Sequence, residues 1–138
     1  WHINICENIS QGSLQDLDVL YMCGWNTYQV LYLLKKGWYI SPILDFISKW
    51  WVYVWQSAWS TICGPDIDIA WIMDWDTNEV NLKDTSWFGL IDFCIAPHYE
   101  DFYYDELMSF KKHYAYRFTA LTNSQAISID GNYMKFIS

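Results

Sequence analysis

The sequence predicts an α/β fold with a mostly parallel sheet and an antiparallel hairpin at its C-terminal end. Three observations lead there. Short β-branched and aromatic runs alternate with segments of helical periodicity through most of the chain. The last apolar runs follow one another across short polar turns, the final one being Asp130-Gly131-Asn132, a hairpin signal. No internal repeat or low-complexity linker interrupts the pattern, so residues 1–138 read as one domain.

Residues 18–22 (Asp-Val-Leu-Tyr-Met) form the first strand candidate. Cys23-Gly24-Trp25-Asn26 turns the chain into a helix over residues 27–36, with Val30, Leu31, Leu33 and Leu34 on its buried face. Lys35 and Lys36 followed by Gly37 are a helix stop. Ser41-Pro42 reads as an N-cap with proline in the first helical position, opening a helix through Ile43, Leu44, Phe46 and Ile47 to about Lys49. Val52-Tyr53-Val54 suits a buried strand, and Gln56-Ser57-Ala58 follows it abruptly. Residues 58–63 make a short helix ended by Gly64-Pro65. Residues 66–86 are polar, acidic and aperiodic, a long loop with at most one short element. Residues 90–96 are a second buried strand, stopped by Pro97. A helix of mixed polarity follows over 105–112, then strands over 117–121, 125–129 and 133–137.

Composition narrows the function. A hydrophobic share of 53% is enough for a real core. The net charge of −8, with eight basic residues of which only Arg117 is arginine, argues against binding nucleic acid. Cys6, Cys23, Cys63 and Cys94 show no CxxC spacing, and read as reduced thiols of a cytoplasmic protein. His2, His98 and His113 have no metal-ligand spacing with them, so neither metal nor cofactor is expected. No apolar run reaches membrane length and no leader is evident. The chain begins at Trp1 without a methionine, which suggests that a true N-terminus is missing.

Chemistry concentrates at Ser57. A serine between a strand and a helix can occupy a nucleophile elbow, its hydroxyl lifted above the sheet and the next N–H free to hold an oxyanion. Such turns favour small residues two before and two after the serine, and here both are tryptophan, Trp55 and Trp59. The plain alternative is an ordinary helix N-cap. Pro97-His98-Tyr99 follows a buried strand, where α/β sheets place their sites, and His98 could serve Ser57 as general base.

Four segments in order carry a resemblance to a family. Residues 19–27 resemble a glycine run followed by Asn-Thr. Trp55-Gln56-Ser57-Ala58-Trp59-Ser60 resembles Gly-x-Ser-Ala-Gly-Ser/Ala. Gly89-Leu90-Ile91-Asp92-Phe93 with Pro97-His98-Tyr99 resembles a Gly-Leu-x-x-Phe strand and its Pro-His-aromatic ending. Gln125-Ala126-Ile127 with Asp130-Gly131-Asn132 resembles a closing hairpin. Together they are similar to the peptidase E (aspartyl dipeptidase) family of serine peptidases. The resemblance implies a flavodoxin-like three-layer sandwich related to class I glutamine amidotransferases, with the first strands of that fold expected to be absent from this chain. It implies Ser57 as nucleophile, His98 as base, and an oxyanion hole of backbone N–H groups at Gly24, Trp25 and Ala58. An acid between serine and histidine completes the set; Asp74 is the first choice and Asp76 the second, with Asp66, Asp68 and Glu79 in the same loop.

The implied function is a serine exopeptidase, a dipeptidase acting on short peptides, as monomer or homodimer without nucleic-acid or membrane partners. A cyanophycinase-like hydrolase of aspartate-containing polymers, or a catalytically inactive binding or scaffold domain, are the alternatives. The arginine-containing segment that follows the histidine in typical aspartyl dipeptidases is replaced by Glu100-Asp101-Phe102-Tyr103-Tyr104, which removes the ground for aspartate specificity.

The departures from the family pattern run one way. Trp25, Trp50, Trp51, Trp55 and Trp59 stand where the family has glycine, and Trp87 and Trp71 fit the same exchange; the chain has 10 Trp against 6 Gly. UGA codons read as glycine in the source would produce that pattern. A decayed site with genuine tryptophan, or a carbohydrate-binding platform, are the rivals. Overpacking costs about 1–3 kcal/mol per site, against a domain stability of only about 5–15 kcal/mol.

Overall fold

A computed structural model of the chain describes residues 14, 16–37, 40–49, 52–72, 76–87 and 89–138. Strand β1 (Val19–Met22) pairs in parallel with β2 (Val52–Trp55), Val19 opposite Val52 and Met22 opposite Trp55. The crossover between them carries α1 (Thr27–Lys35) and α2 (Ile40–Ser48). Side chains alternate across the pair. Leu20, Tyr53 and Trp55 face Val30, Leu31 and Leu34 of α1 and Ile43 and Phe46 of α2 in the main core. Val19, Tyr21, Val52 and Val54 face the other way and are exposed. The expected burial of β2 is therefore half right: one face is in the core, while Val52 is 56% exposed.

Helix α1 is closed at both ends. Asn26 caps it, its Oδ1 accepting from Gln29 N–H at 3.1 Å. A carboxylate from the following loop adds to this: Asp76 Oδ2 accepts from Thr27 N–H at 2.7 Å and from the Thr27 hydroxyl. At the other end Gly37 takes φ +78 and donates to the Leu34 carbonyl at 2.8 Å. Helix α2 begins at Ile40, so Ser41 lies inside it and is not its N-cap. Pro42 is still within the first turn, where its missing N–H has no intrahelical partner to lose.

After β2 come α3 (Ala58–Ile62) and α4 (Ile69–Ile72), the one short element foreseen within 66–86. Strand β3 (Phe93–Ala96) is fully buried and pairs in parallel with β4 (Arg117–Ala120), Ala96 opposite Ala120. A 3₁₀ turn (Asp101–Tyr103) and α5 (Tyr104–His113) form this second crossover. Its core joins Ile69, Cys94, Ala96, Leu107 and Phe110. β3 starts three residues later than the apolar run does. The N–H groups of Leu90 and Ile91 bond the Cys63 carbonyl instead, at 2.6 and 3.0 Å. This fixes a close crossing, in which a Cβ on Gly64 would stand 2.7 Å from the Phe93 carbonyl oxygen.

The chain closes with the antiparallel hairpin of β5 (Ala126–Asp130) and β6 (Tyr133–Ile137), with Gly131 at φ +54 in the turn. Parallel pairs built on helical crossovers, followed by an antiparallel pair, are the α/β architecture expected. Cys63 and Cys94 are buried free thiols; burial pushes Cys63 well up and Cys94 to about 11. Among the described residues no helix is long and apolar enough to cross a membrane. Trp50 and Trp51 lie outside the described residues.

Candidate active site

Ser57 sits where β2 ends and α3 begins, with φ +56 and ψ −127, a conformation that L residues rarely adopt. The turn is held by its own backbone. Trp59 N–H donates to the Gln56 carbonyl (3.3 Å), and Ser60 N–H donates to that of Ser57 (2.8 Å). The Ser60 hydroxyl donates to the same Ser57 oxygen at 2.5 Å. Ser57 occupies the N-cap position of α3, yet its side chain makes no cap hydrogen bond. Its Oγ lies 3.0 Å from His98 Nε2 instead.

His98 is delivered by β3. Pro97 ends the strand, and His98 takes φ +57, a second strained backbone position in the same site. The loops after β3 and β4 are stitched together: Leu121 N–H donates to the Ala96 carbonyl and Tyr99 N–H to that of Leu121, both at 2.9 Å. That brings Asn123 beside the imidazole, with its Oδ1 2.6 Å from His98 Nδ1. An amide oxygen only accepts, so Nδ1 carries the proton and Nε2 of the neutral ring presents its lone pair to the serine hydroxyl. Such a pair can pass the hydroxyl proton to the ring while the oxygen attacks a carbonyl.

Asn123 was not among the residues picked out from the sequence. The signal available was topological: it lies in the loop after the strand next to β3, at the carboxyl ends where such sites gather. The acids fall elsewhere. Asp74 lies outside the described residues. Asp76 is engaged at the N-terminus of α1. Asp66 is buried, which raises its pKa, and accepts from Asp68 N–H at 2.8 Å. Asp68 accepts from the Tyr114 hydroxyl at 2.6 Å, and Glu79 from the Gln29 amide at 3.3 Å. None of these four described acids lines the cleft at Ser57.

Ala58 N–H opens α3 directly after the serine, among the first-turn donors that a helix leaves without an internal partner. Gly24 and Trp25 leave β1 beside the elbow, because Gln56 N–H donates to the Met22 carbonyl at 2.9 Å, but neither lines the cleft. Trp25 has φ +77, next to Gly24 at φ +70, and its ring is 57% exposed with Nε1 donating to Gln29 Oε1 at 2.7 Å. Trp55 packs against the main core and Trp59 is buried within it. The elbow thus forms with Trp59 buried in the core and Trp55 half-buried, packed against that core and also among the residues that line the cleft. Trp71 is mostly exposed and Trp87 packs against the core.

Ser57, His98 and Asn123 open onto a cleft of about 890 Å³, walled by the outer face of β2 and by β5. Its lining is largely apolar. Among the described residues, Asp130 is its single Asp, Glu, Lys or Arg. All eight Lys and Arg of the chain are among the described residues, and none lines the cleft. At its edge the Tyr21 hydroxyl donates to Gln56 Oε1, the side chain preceding the serine.

The chain is similar to known proteins over most of its length. An uncharacterized peptidase of Listeria monocytogenes is 32% identical over 94 residues, covering 68% of this chain and 46% of that protein. An uncharacterized peptidase of Pasteurella multocida is 31% identical over 85 residues, covering 62% of this chain and 41% of its own length. The chain therefore spans less than half the length of either relative. A crystal structure from Listeria monocytogenes EGD-e, described provisionally as a peptidase E protein, superposes with a TM-score of 0.74 at 28% identity, covering 92% of this chain and 62% of that one. The family model for peptidase family S51 matches residues 5–137. This chain belongs to peptidase family S51.

Proposed function

We propose that the protein is a serine-type exopeptidase acting on short peptides, with Ser57 as nucleophile and His98 as general base. The observation that carries this reading is the 3.0 Å approach of Ser57 Oγ to His98 Nε2 at a strained strand-to-helix turn. Ser57 Oγ attacks the scissile carbonyl as its proton passes to His98 Nε2. The tetrahedral oxyanion is held by backbone N–H groups, that of Ala58 first and those of the 24–25 turn beside it. Collapse breaks the C–N bond, and the Nε2 proton goes to the leaving amine. Water then attacks the acyl ester through the same base, which returns a proton to Ser57 Oγ.

The cleft argues for uncharged substrate side chains. A buried acidic side chain needs a cationic partner, and no Lys or Arg lines this cleft. The one carboxylate among the described lining residues, Asp130, suits the ammonium group of a peptide N-terminus. The test is a panel of dipeptides with neutral, acidic and basic N-terminal residues, together with labelling by a serine-directed fluorophosphonate. Ser57→Ala is expected to abolish both hydrolysis and labelling. Turnover unchanged by that substitution would overturn the mechanism, and a preference for N-terminal aspartate would overturn the specificity.

A further inference from the structure

We infer that Gln56, oriented by Tyr21, is a specificity residue of the cleft that recognises a carboxamide side chain on the peptide substrate. This rests on the peptidase reading above and deepens it. Gln56 directly precedes Ser57, and both it and Tyr21 line the cleft. Its backbone is fixed on both sides. The N–H donates to the Met22 carbonyl at 2.9 Å, and the carbonyl accepts from Trp59 N–H at 3.3 Å. Alternation along β2 sets Gln56 on the outer face with Val52 and Val54, the face that Tyr21 presents from β1.

The side chains are paired in one sense. The Tyr21 hydroxyl donates to Gln56 Oε1, which assigns the two ends of the carboxamide. Nε2 keeps its two hydrogens, and among the described residues no acceptor meets them. The tyrosine oxygen has spent its one hydrogen and keeps lone pairs. The pair therefore offers a donor and an acceptor side by side on an otherwise apolar wall of Val52 and Val54. A substrate carboxamide complements both, its oxygen accepting from Nε2 and its N–H₂ donating to the tyrosine oxygen. A carboxylate brings no hydrogen for that oxygen, and an aliphatic side chain leaves both groups unmatched once water is displaced.

The experiment measures kcat/KM for the dipeptides Asn-Leu and Leu-Asn, each as a ratio to the near-isosteric Leu-Leu. Gln56→Met, which keeps the length of the side chain and removes its donor, is expected to lower the ratio for one of the two amide peptides by roughly 3- to 10-fold. Tyr21→Phe, which frees the carboxamide to turn, is expected to lower the same ratio by a smaller factor. Both side chains are exposed, so the variants should melt as the parent does, a condition checked by circular dichroism. Both peptides meet the same enzyme sample, so any loss of folded protein cancels from the ratio. A distorted elbow would slow the peptides alike and leave the ratios at the parent's values, and that result overturns the assignment. A parent that turns over neither amide peptide overturns it as well, and a Tyr21→Phe ratio equal to the parent's overturns the orienting role of the tyrosine. Hydrolysis that survives Ser57→Ala overturns the peptidase reading instead, so the failures are distinct.

Discussion

At the residue scale the tryptophans separate into two kinds. Trp25 has φ +77, a backbone that glycine adopts freely and that costs another L residue about 1–2 kcal/mol. Trp59 is only 6% exposed and fills the main core. Trp25→Gly is therefore expected to raise stability by about 1 kcal/mol at most, after the extra chain entropy of glycine is subtracted. Trp59→Gly is expected to lower it by at least about 3–5 kcal/mol, the cost of emptying a buried aromatic site. Urea denaturation of the two variants checks both signs. Equal tolerance at the two positions would favour glycine as the natural residue at each. The codons at 25, 55 and 59 bear on the same question, since UGG there excludes recoding.

At the element scale, Asp76 illustrates how a plausible catalytic acid can be a structural one. Its carboxylate accepts from the N–H and hydroxyl of Thr27, in the first turn of α1, where the helix dipole favours negative charge. Asp76→Ala is expected to destabilise the fold by about 1–2 kcal/mol, as loss of a helix cap does. The rate of Ser57 labelling should stay unchanged below the melting transition. A slowed labelling rate with unaltered melting temperature would instead return Asp76 to the catalytic machinery. Asn26 caps the same turn, its Oδ1 accepting from Gln29 N–H, so part of the helix start survives the substitution.

At the scale of the whole molecule, two carboxylates give stability opposite dependences on pH. Asp84 is held down to about 2, first by its hydrogen bond from Lys35 and then by those from Ser86. Its contribution is present above the ordinary value of 3.8 and is lost as pH falls toward about 2. Asp66 is raised from 3.8, chiefly by burial. The folded state then binds more protons than the unfolded one, and stability falls as pH rises from 3.8 through the raised value. Asp66→Asn, which keeps the oxygen that accepts from Asp68 N–H, should remove that decline. Its stability relative to the parent is expected to be greater at pH 7 than at pH 3.5 in urea titrations. An equal difference at both pH values would mean that Asp66 ionises as it does in the unfolded chain.

Much of this protein was determined by sequence alone. Periodicity located α1 and the C-terminal strands, because local patterning and turn chemistry act over a few residues. Ordered short motifs pointed to Ser57 and His98. Burial of β2 was misread, since an apolar run does not say how many of its faces another layer will cover. The partner of His98 was beyond reach for a similar reason. A hydrogen-bond partner is chosen by which loops share one end of the sheet, and only the parallel pairing of β3 with β4 sets Asn123 against Nδ1. The acids between serine and histidine were nearer in sequence, but those the structure describes are turned to a helix terminus, a buried turn, a tyrosine hydroxyl and an exposed amide. Sequence order supplied the candidates, and long-range packing decided which of them meet.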